Sequence, residues 1–96
     1  MIKVVARTLV RPECIAAYQA LARELAAKTQ AEPGNLSYTL NQSLETPCLH
    51  AMIEVWESRE ALNRHMQTEH FRRLVPELSA LSEEKYPLEF FSQIAP

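Results

Sequence analysis

The chain has 96 residues, of which 47% are hydrophobic and 23% are charged. A chain this short buries one small core and leaves much apolar surface uncovered, so we predict a single domain over residues 1–96 that associates with a second copy. Ten Lys and Arg residues stand against twelve Glu residues, the formal net charge is -2, and the basic residues are scattered. This balance argues against a nucleic-acid partner.

The N-terminus and the hydropathy of the chain indicate a soluble, cytoplasmic protein. After Met1 the chain enters an alternating apolar run, without the basic region or cleavage site of a signal peptide. No stretch approaches the roughly 20 apolar residues that cross a bilayer, so we expect no membrane association. Cys14 and Cys48 lack the spacing of a zinc or redox motif, and we expect both to be buried free thiols.

The first half of the chain predicts a strand, a helix and two further strands. Ile2–Val10 alternates and is rich in β-branched residues, which is typical of a strand. Pro12 suits a first helical turn, and apolar residues then recur at helical spacing up to about Ala31. The only glycine, Gly34, follows as a turn residue, and the segments 36–42 and 48–56 alternate as strands.

The second half predicts two helical segments and a last strand. Ser58 is a good N-cap for a short helix, a further helical segment covers Phe71 to Leu78, and Pro76 should kink or divide that segment. The run from Pro87 to Ile94 indicates the final strand.

The order of these elements predicts the fold class. It is β-α-β-β-α-β with extra helical material, which is typical of an α+β ferredoxin-like domain with an antiparallel sheet. Three of the strands carry apolar residues on both faces, so one face needs a cover that the helices do not supply. We therefore predict a homodimer in which two sheets close into a dimeric α+β barrel.

Three motifs carry a resemblance to a known family. They are EPGNLSY at residues 32–38, EVWESREAL at residues 54–62, and the pair His65 and His70 with Phe71 directly after the second histidine. Their order and spacing over nearly the whole chain resemble the antibiotic biosynthesis monooxygenase family. The resemblance implies the dimeric barrel and three kinds of activity: cofactor-independent oxidation of hydroquinones and phenols, conversion of phosphosugar signals, and heme degradation.

Heme degradation is the least favoured of these activities. The heme-degrading branch has a Trp on the second helix, a His in the next helix and an Asn in strand one. Alignment with that branch places His65 at the Trp position and Val75 at the His position, and strand one has no Asn. Without an axial ligand heme lacks its main anchor. The sequence also lacks a glycine-rich phosphate loop and a carboxylate cluster for a metal, so we predict no cofactor.

His65 and His70 are the candidate catalytic bases. His65 follows Leu62 and Ala61 by three and four residues, so it points with the apolar stripe of its helix. Its ordinary pKa near neutrality suits a general base, and a structural histidine bonded to a carbonyl or carboxylate is the alternative. His70 lies near a helix N-terminus, where the dipole favours a neutral ring, and an exposed capping residue is the alternative there.

Trp56 and Glu54 share one face of their strand with Met52 and His50. A flat phenol could stack on this aromatic platform beside the carboxylate. The alternatives are that Trp56 is a core residue and that Glu54 forms an ion pair, for example with Arg7.

The resemblance thus implies a cofactor-independent monooxygenase that oxidises a small hydroquinone or phenol with dioxygen, and the aromatic and imidazole groups suit this reaction. Two alternatives remain: an isomerase acting on a small phosphosugar-like carbonyl compound, with charge supplied by arginines, and a non-enzymatic dimer that binds an aromatic ligand. We assign catalytic roles to His65, His70 and Trp56. The predicted substrate-binding residues are Glu54, Tyr38, Asn35, Met52 and Phe71.

Overall fold

A computed structural model describes all residues 1–96 as one antiparallel sheet with helices on one face. The strands are β1 (Ile2–Val10), β2 (Asn35–Gln42), β3 (Leu49–Trp56), β4 (Ser82–Lys85) and β5 (Glu89–Ser92). A 3-10 turn at Pro12–Cys14 leads into α1 (Ile15–Gln30), and the other helices are α2 (Arg59–His65) and α3 (Glu69–Ala80). No helix combines the length and the apolar character that a membrane crossing requires.

The sheet has the order β2-β3-β1-β4, and β5 also pairs with β1. The short strands β4 and β5 therefore share one edge of β1, with β4 along its end and β5 along its start. On the face that the helices cover, Val4, Glu54 and Tyr38 form one cross-strand row, because Glu54 lies opposite both of the others in register. This register places the carboxyl group in the middle of the sheet.

The core lies between that face and the helices, and it confirms the predicted α+β ferredoxin-like fold. Buried side chains on α1 follow helical spacing, as the amphipathic pattern predicts, and on the strands they alternate. The cluster consists of thirteen buried residues: Val4, Val10, Tyr18, Ala22, Leu25, Ala26, Tyr38, Met52, Trp56, Ala61, Leu62, Leu74 and Leu78.

The last third of the chain differs from the prediction in two ways. The α3 helix runs through Pro76 without a break, so the predicted division was wrong. Pro76 and Arg72 are both exposed, so the helical hydrogen bond that the proline cannot donate lies on the solvent side of α3. The final strand is shorter than predicted, and β4 precedes it as a strand that the charged sequence Ser-Glu-Glu-Lys did not indicate.

The opposite face of the sheet carries apolar side chains that the helices do not cover. This outer face carries Val5, Ile53, Val55 and Phe91. Val5 pairs with Ile53 across the strands, and Val55 and Phe91 both pair with Lys3. Ile53 is 41% exposed and Phe91 is 51% exposed. The predicted cover by a second copy stays a prediction.

Candidate active site

A cavity of about 380 Å³ lies between the sheet and the helices. Thirteen of its 21 lining residues are hydrophobic, so its wall favours an apolar ligand with few polar groups. Five of the sequence-predicted site residues line it: Tyr38, Met52, Glu54, His65 and Phe71. The rim includes Arg7, Lys85 and the segment 86–88 between β4 and β5.

Both candidate bases bind the same carboxylate, that of Glu32. Its Oε2 atom accepts a hydrogen bond from His65 Nδ1 at 2.8 Å and another from His70 Nε2 at 2.6 Å. The Glu32 side chain is only 10% exposed, and two N–H donors compensate the removal of its charge from water. Because a carboxylate only accepts, His65 carries its proton on Nδ1 and keeps a free lone pair on Nε2.

Glu32 is the residue that the sequence reasoning missed. It begins the motif of residues 32–38, but 33 and 38 residues separate it from the two histidines, and no periodicity connects positions so far apart. Only the fold brings the three side chains together.

The turn that presents Glu32 depends on Gly34. This residue has a φ of 87°, and a Cβ atom there would lie 2.5 Å from the Cβ of Ala61 on α2. The Gly34 carbonyl accepts a hydrogen bond from the Glu57 N–H at 2.9 Å, just before α2 begins. The turn therefore packs directly on the N-terminal end of the helix that carries His65.

The junction between α2 and α3 fixes the second histidine. Thr68 caps α3 by accepting from the Phe71 N–H at 3.3 Å, and its hydroxyl donates to the His65 carbonyl at 2.7 Å. His70 is the second residue of α3, as predicted. Neither His70 nor Glu32 lines the cavity, so His65 is the member of this cluster that reaches it.

Aromatic side chains surround the His65 ring. Its centroid lies 4.7 Å from that of Trp56, 5.0 Å from that of Phe71 in an edge-on contact, and 5.8 Å from that of Tyr38. Burial lowers the pKa of His65, although the hydrogen bond to Glu32 opposes this effect. The ring is therefore neutral near pH 7 and available as a base.

Glu54 is the second polar group of the cavity. It is 5% exposed, and its Oε1 atom accepts a hydrogen bond from Trp56 Nε1 at 2.9 Å. Burial raises the pKa of Glu54 to about 7, against the lowering effect of the Trp56 hydrogen bond. The alternative of an ion pair with Arg7 was wrong, because Arg7 pairs with Glu89 at 3.2 Å.

Besides His70, two further predicted site residues lie outside the cavity. Trp56 is fully buried and packs against His65, so it does not form the predicted open platform for a ligand. Asn35 donates through Nδ2 to the carbonyls of Ser37 at 3.1 Å and Val55 at 3.4 Å, where the pairing of β2 and β3 is irregular. Trp56 thus orients other site residues, and Asn35 stabilises the sheet.

Carboxylate and imidazole side chains bind divalent metals, and the site contains three of them: Glu32, His65 and His70. Their potential ligand atoms lie within 4.8 Å of one another. The separations of 2.6 and 2.8 Å are hydrogen-bond lengths. Two ligands of one tetrahedral zinc ion, each about 2.0–2.1 Å from it, would be roughly 3.3 Å apart. The arrangement is therefore that of a hydrogen-bonded triad.

The third histidine, His50, has a structural role. Its Nδ1 donates to the Cys48 carbonyl at 3.1 Å, which leaves Nε2 to accept from the Gln19 amide at 3.1 Å. Its ring also packs against Tyr18, with centroids 5.2 Å apart. Both nitrogens are satisfied within the core, so the ring has no free lone pair for catalysis.

The fold and the cavity define a small ferredoxin-like α+β protein with an internal, mostly apolar ligand pocket. The sequence profile described as Antibiotic biosynthesis monooxygenase matches residues 1–77, and the chain belongs to this family.

Solved structures extend the likeness to the whole chain. The chain is similar to the crystal structure of an antibiotic biosynthesis monooxygenase, with 37% identity, a TM-score of 0.93 and coverage of 99% of this chain and 100% of that one. It is also similar to PA3566 from Pseudomonas aeruginosa, with 32% identity, a TM-score of 0.89 and coverage of 98% and 94%. A conserved protein from Methanosarcina mazei Go1 gives 30% identity, a TM-score of 0.91 and coverage of 94% and 89%. No curated protein matches the chain at a significant level.

Proposed function

We propose that this protein is a cofactor-independent monooxygenase that oxidises a small hydroquinone or phenol with dioxygen. The observation that carries the proposal is a neutral imidazole, His65, that lines an apolar cavity and is held from behind by the Glu32 carboxylate. Family membership supports the reaction type. The apolar wall supports a flat aromatic substrate, since it offers few partners to a highly polar molecule.

The first step is removal of the phenolic proton by His65 Nε2. The Glu32 carboxylate at Nδ1 stabilises the imidazolium that forms, and it holds the ring in the tautomer that can accept. The phenolate then gives one electron to dioxygen, and the two radicals combine at a ring carbon that carries hydrogen. The peroxide anion takes the proton back from the imidazolium.

The second step converts this hydroperoxide to a carbonyl group. His65 removes the remaining hydrogen of that carbon as a proton, the O–O bond breaks, and the distal oxygen leaves as water after protonation. One oxygen atom stays on the carbon, so a phenol and dioxygen yield a quinone and water. The substrate supplies all four electrons, and the protein supplies orientation, a base and exclusion of bulk water.

We further propose that the active form is a homodimer joined through the outer face of the sheet. Ile53 and Phe91 leave about half of their surface uncovered there, among other apolar side chains. Burial of such a patch between two copies stabilises both sheets. An Ile53→Glu variant would place two charges in that interface, and light scattering after size exclusion should then report monomers.

The charged groups do not favour the phosphosugar alternative. Arg7 is occupied by Glu89, and Arg73 binds Glu24 at 2.7 Å and Glu69 at 2.9 Å. A phosphate needs several free cationic donors inside its pocket, and Lys85 is the only cation of this mostly apolar wall that has no carboxylate partner.

Oxygen consumption with a panel of phenols and hydroquinones tests the proposal. The wild type should exceed autoxidation, His65→Ala should fall to the autoxidation rate, and Arg64→Ala, an exposed change next to His65, should retain activity. With isotopically labelled dioxygen, one labelled atom should appear in the product. Uptake equal to autoxidation, unchanged by His65→Ala, would contradict the proposed reaction.

A further inference from the structure

The proposed reaction leaves the one buried carboxyl group of the cavity wall unused. Glu54 lies in the middle of the sheet, lines the cavity and receives a single side-chain hydrogen bond, from Trp56 to Oε1. Its other oxygen, Oε2, has no protein donor. A buried carboxylate normally takes several donors or a cation, so an arrangement with one donor suits the neutral acid.

The groups that face Glu54 come from every element packed around it, and none supplies a compensating charge. Tyr38 lies beside it on β2, Tyr18 reaches the cavity from α1, His65 reaches it from α2, and Glu32 lies behind His65. The tyrosines are neutral because burial raises their pKa values, and burial lowers the pKa of His65. The negative charge of Glu32 further raises the pKa of Glu54.

The cations of the rim are already engaged. Arg7 pairs with Glu89 and stacks over the Tyr86 ring, with 5.0 Å from its guanidinium carbon to the ring centroid. Lys85 donates to the Ser79 hydroxyl at 2.9 Å. Neither side chain forms a salt bridge with Glu54, so no cation directly compensates an ionised Glu54 carboxylate.

We propose that Glu54 donates a hydrogen bond from its carboxyl group to a neutral oxygen of the ligand. The cavity then selects aromatic molecules with a hydroxyl group at the His65 end and a carbonyl oxygen at the Glu54 end, and it rejects aromatic carboxylates. This inference rests on the proposed function for the aromatic ring and for the hydroxyl group. It adds the second polar contact, and with it the chemical class of the ligand.

The selectivity follows from the charge of the site. A ketone oxygen accepts a hydrogen bond from the Glu54 carboxyl group. This bond contributes about 1 kcal/mol, or roughly fivefold in affinity. A ligand carboxylate would lose its hydration inside a mostly apolar cavity, and Lys85, the cation of the wall that lacks a carboxylate partner, is held by the Ser79 hydroxyl. We expect the carboxylate to bind at least tenfold more weakly than the ketone.

Three ligands of similar size separate these effects: para-hydroxyacetophenone, para-ethylphenol and para-hydroxybenzoate. Calorimetry at about pH 5.5, where a group with a pKa near 7 is protonated, should show the ketone binding roughly fivefold more tightly than the ethyl compound. The benzoate should bind most weakly. Glu54→Gln keeps an N–H donor and should keep the preference, whereas Glu54→Leu should abolish it.

The pH dependence identifies the donor. Between about pH 5.5 and pH 7.5 the wild type should lose most of its ketone preference as Glu54 ionises, while Glu54→Gln should keep it. Glu54→Gln preserves the shape of the side chain. If Glu54→Leu does not fold, the comparison of the wild type with Glu54→Gln across this pH range still tests the inference.

Four results would overturn the inference: equal binding of ketone and ethyl compound, tight binding of the benzoate, the same pH dependence in Glu54→Gln as in the wild type, or no binding of any of the three ligands. Binding is measured without turnover. A protein that shows the ketone preference but consumes no oxygen would contradict the proposed function and leave the Glu54 assignment standing.

Discussion

Replacement of Glu32 by glutamine removes the charge that His65 and His70 share and keeps the size of the side chain. In the wild type, both imidazoles donate to the single atom Oε2, at 2.8 and 2.6 Å. The amide of glutamine has one neutral oxygen, and its nitrogen is a donor that cannot accept from either ring. The variant therefore loses two charge-assisted hydrogen bonds and retains at most weaker neutral ones.

The size of the effect follows from those two bonds. A hydrogen bond to a charged group contributes about 1.5–3 kcal/mol and a neutral one about 0.5–1.5 kcal/mol, so the unfolding free energy should fall by about 2 kcal/mol. In a domain of this size that loss lowers the Tm by roughly 10 °C at fixed protein concentration. Weaker support of the imidazolium should lower kcat/KM by about 10- to 100-fold.

The pH profile separates a positioning role from a merely structural one. The Glu32 hydrogen bond raises the pKa of His65, so its removal should lower that pKa further. Because the base acts in its neutral form, the acidic limb of the kcat/KM profile should move to lower pH in Glu32→Gln. The exposed change Glu77→Gln on α3 is the matched control and should alter neither limb nor rate.

A double-mutant cycle completes this test. If Glu32 acts through His65, the effects of Glu32→Gln and His65→Ala on kcat/KM are strongly non-additive. Fully additive effects, or an acidic limb that stays in place in Glu32→Gln, would refute the reasoning.

Four further substitutions test other parts of the structure. Gly34→Ala forces a side chain into a positive φ and against Ala61, and should cost about 2–3 kcal/mol in denaturant titrations; an unchanged midpoint would contradict the packing of this turn. Thr29→Val removes a buried hydroxyl that has no partner, so thermal unfolding should show a gain of about 1 kcal/mol. The pKa of Glu54 is near 4.5 in the unfolded chain, and burial raises it to about 7 in the folded protein. The unfolding free energy of the wild type therefore falls as the pH rises from 4.5 towards 7. Glu54→Gln cannot ionise, so its unfolding free energy relative to that of the wild type should rise by up to about 3 kcal/mol across this pH range. Parallel plots of unfolding free energy against pH for the two proteins would refute the raised pKa. Trp56→Phe removes the indole N–H and should raise the pKa of Glu54 further, as carboxyl NMR titration would show.

The sequence predicted the fold well because its local signals agree with the global arrangement. The strands Ile2–Val10 and 48–56 alternate clearly, and the predicted ends lie within one residue of β1 and β3. Pro76 misled because the residues on either side of the missing hydrogen bond are exposed, and exposure is a tertiary property. Strand β4 was missed since pairing with β1, rather than its own composition, makes it a strand.

The candidate site was less predictable because side-chain partners depend on three-dimensional contacts. The sequence indicated that His65 is buried and needs a partner, and the structure supplies Glu32 from a turn 33 residues away. It grouped Trp56 with Glu54 on one face of β3, which is correct, but the indole turns its N–H to the carboxyl group and lies outside the cavity. Alternation assigns a face of the sheet and does not determine what a side chain contacts beyond it.

The strands β4 and β5 pair with the same edge of β1, and a gap between them, from Tyr86 to Leu88, interrupts this pairing. The residues of the gap form part of the cavity rim. The Tyr86 N–H donates to the Arg7 carbonyl at 3.1 Å, so the interruption stays anchored to the sheet while Leu88 remains 47% exposed. Loops tolerate substitution more readily than strands. Variation confined to residues 86–88 would therefore alter the rim of the cavity, while the sheet and the cluster of Glu32, His65 and His70 stay unchanged.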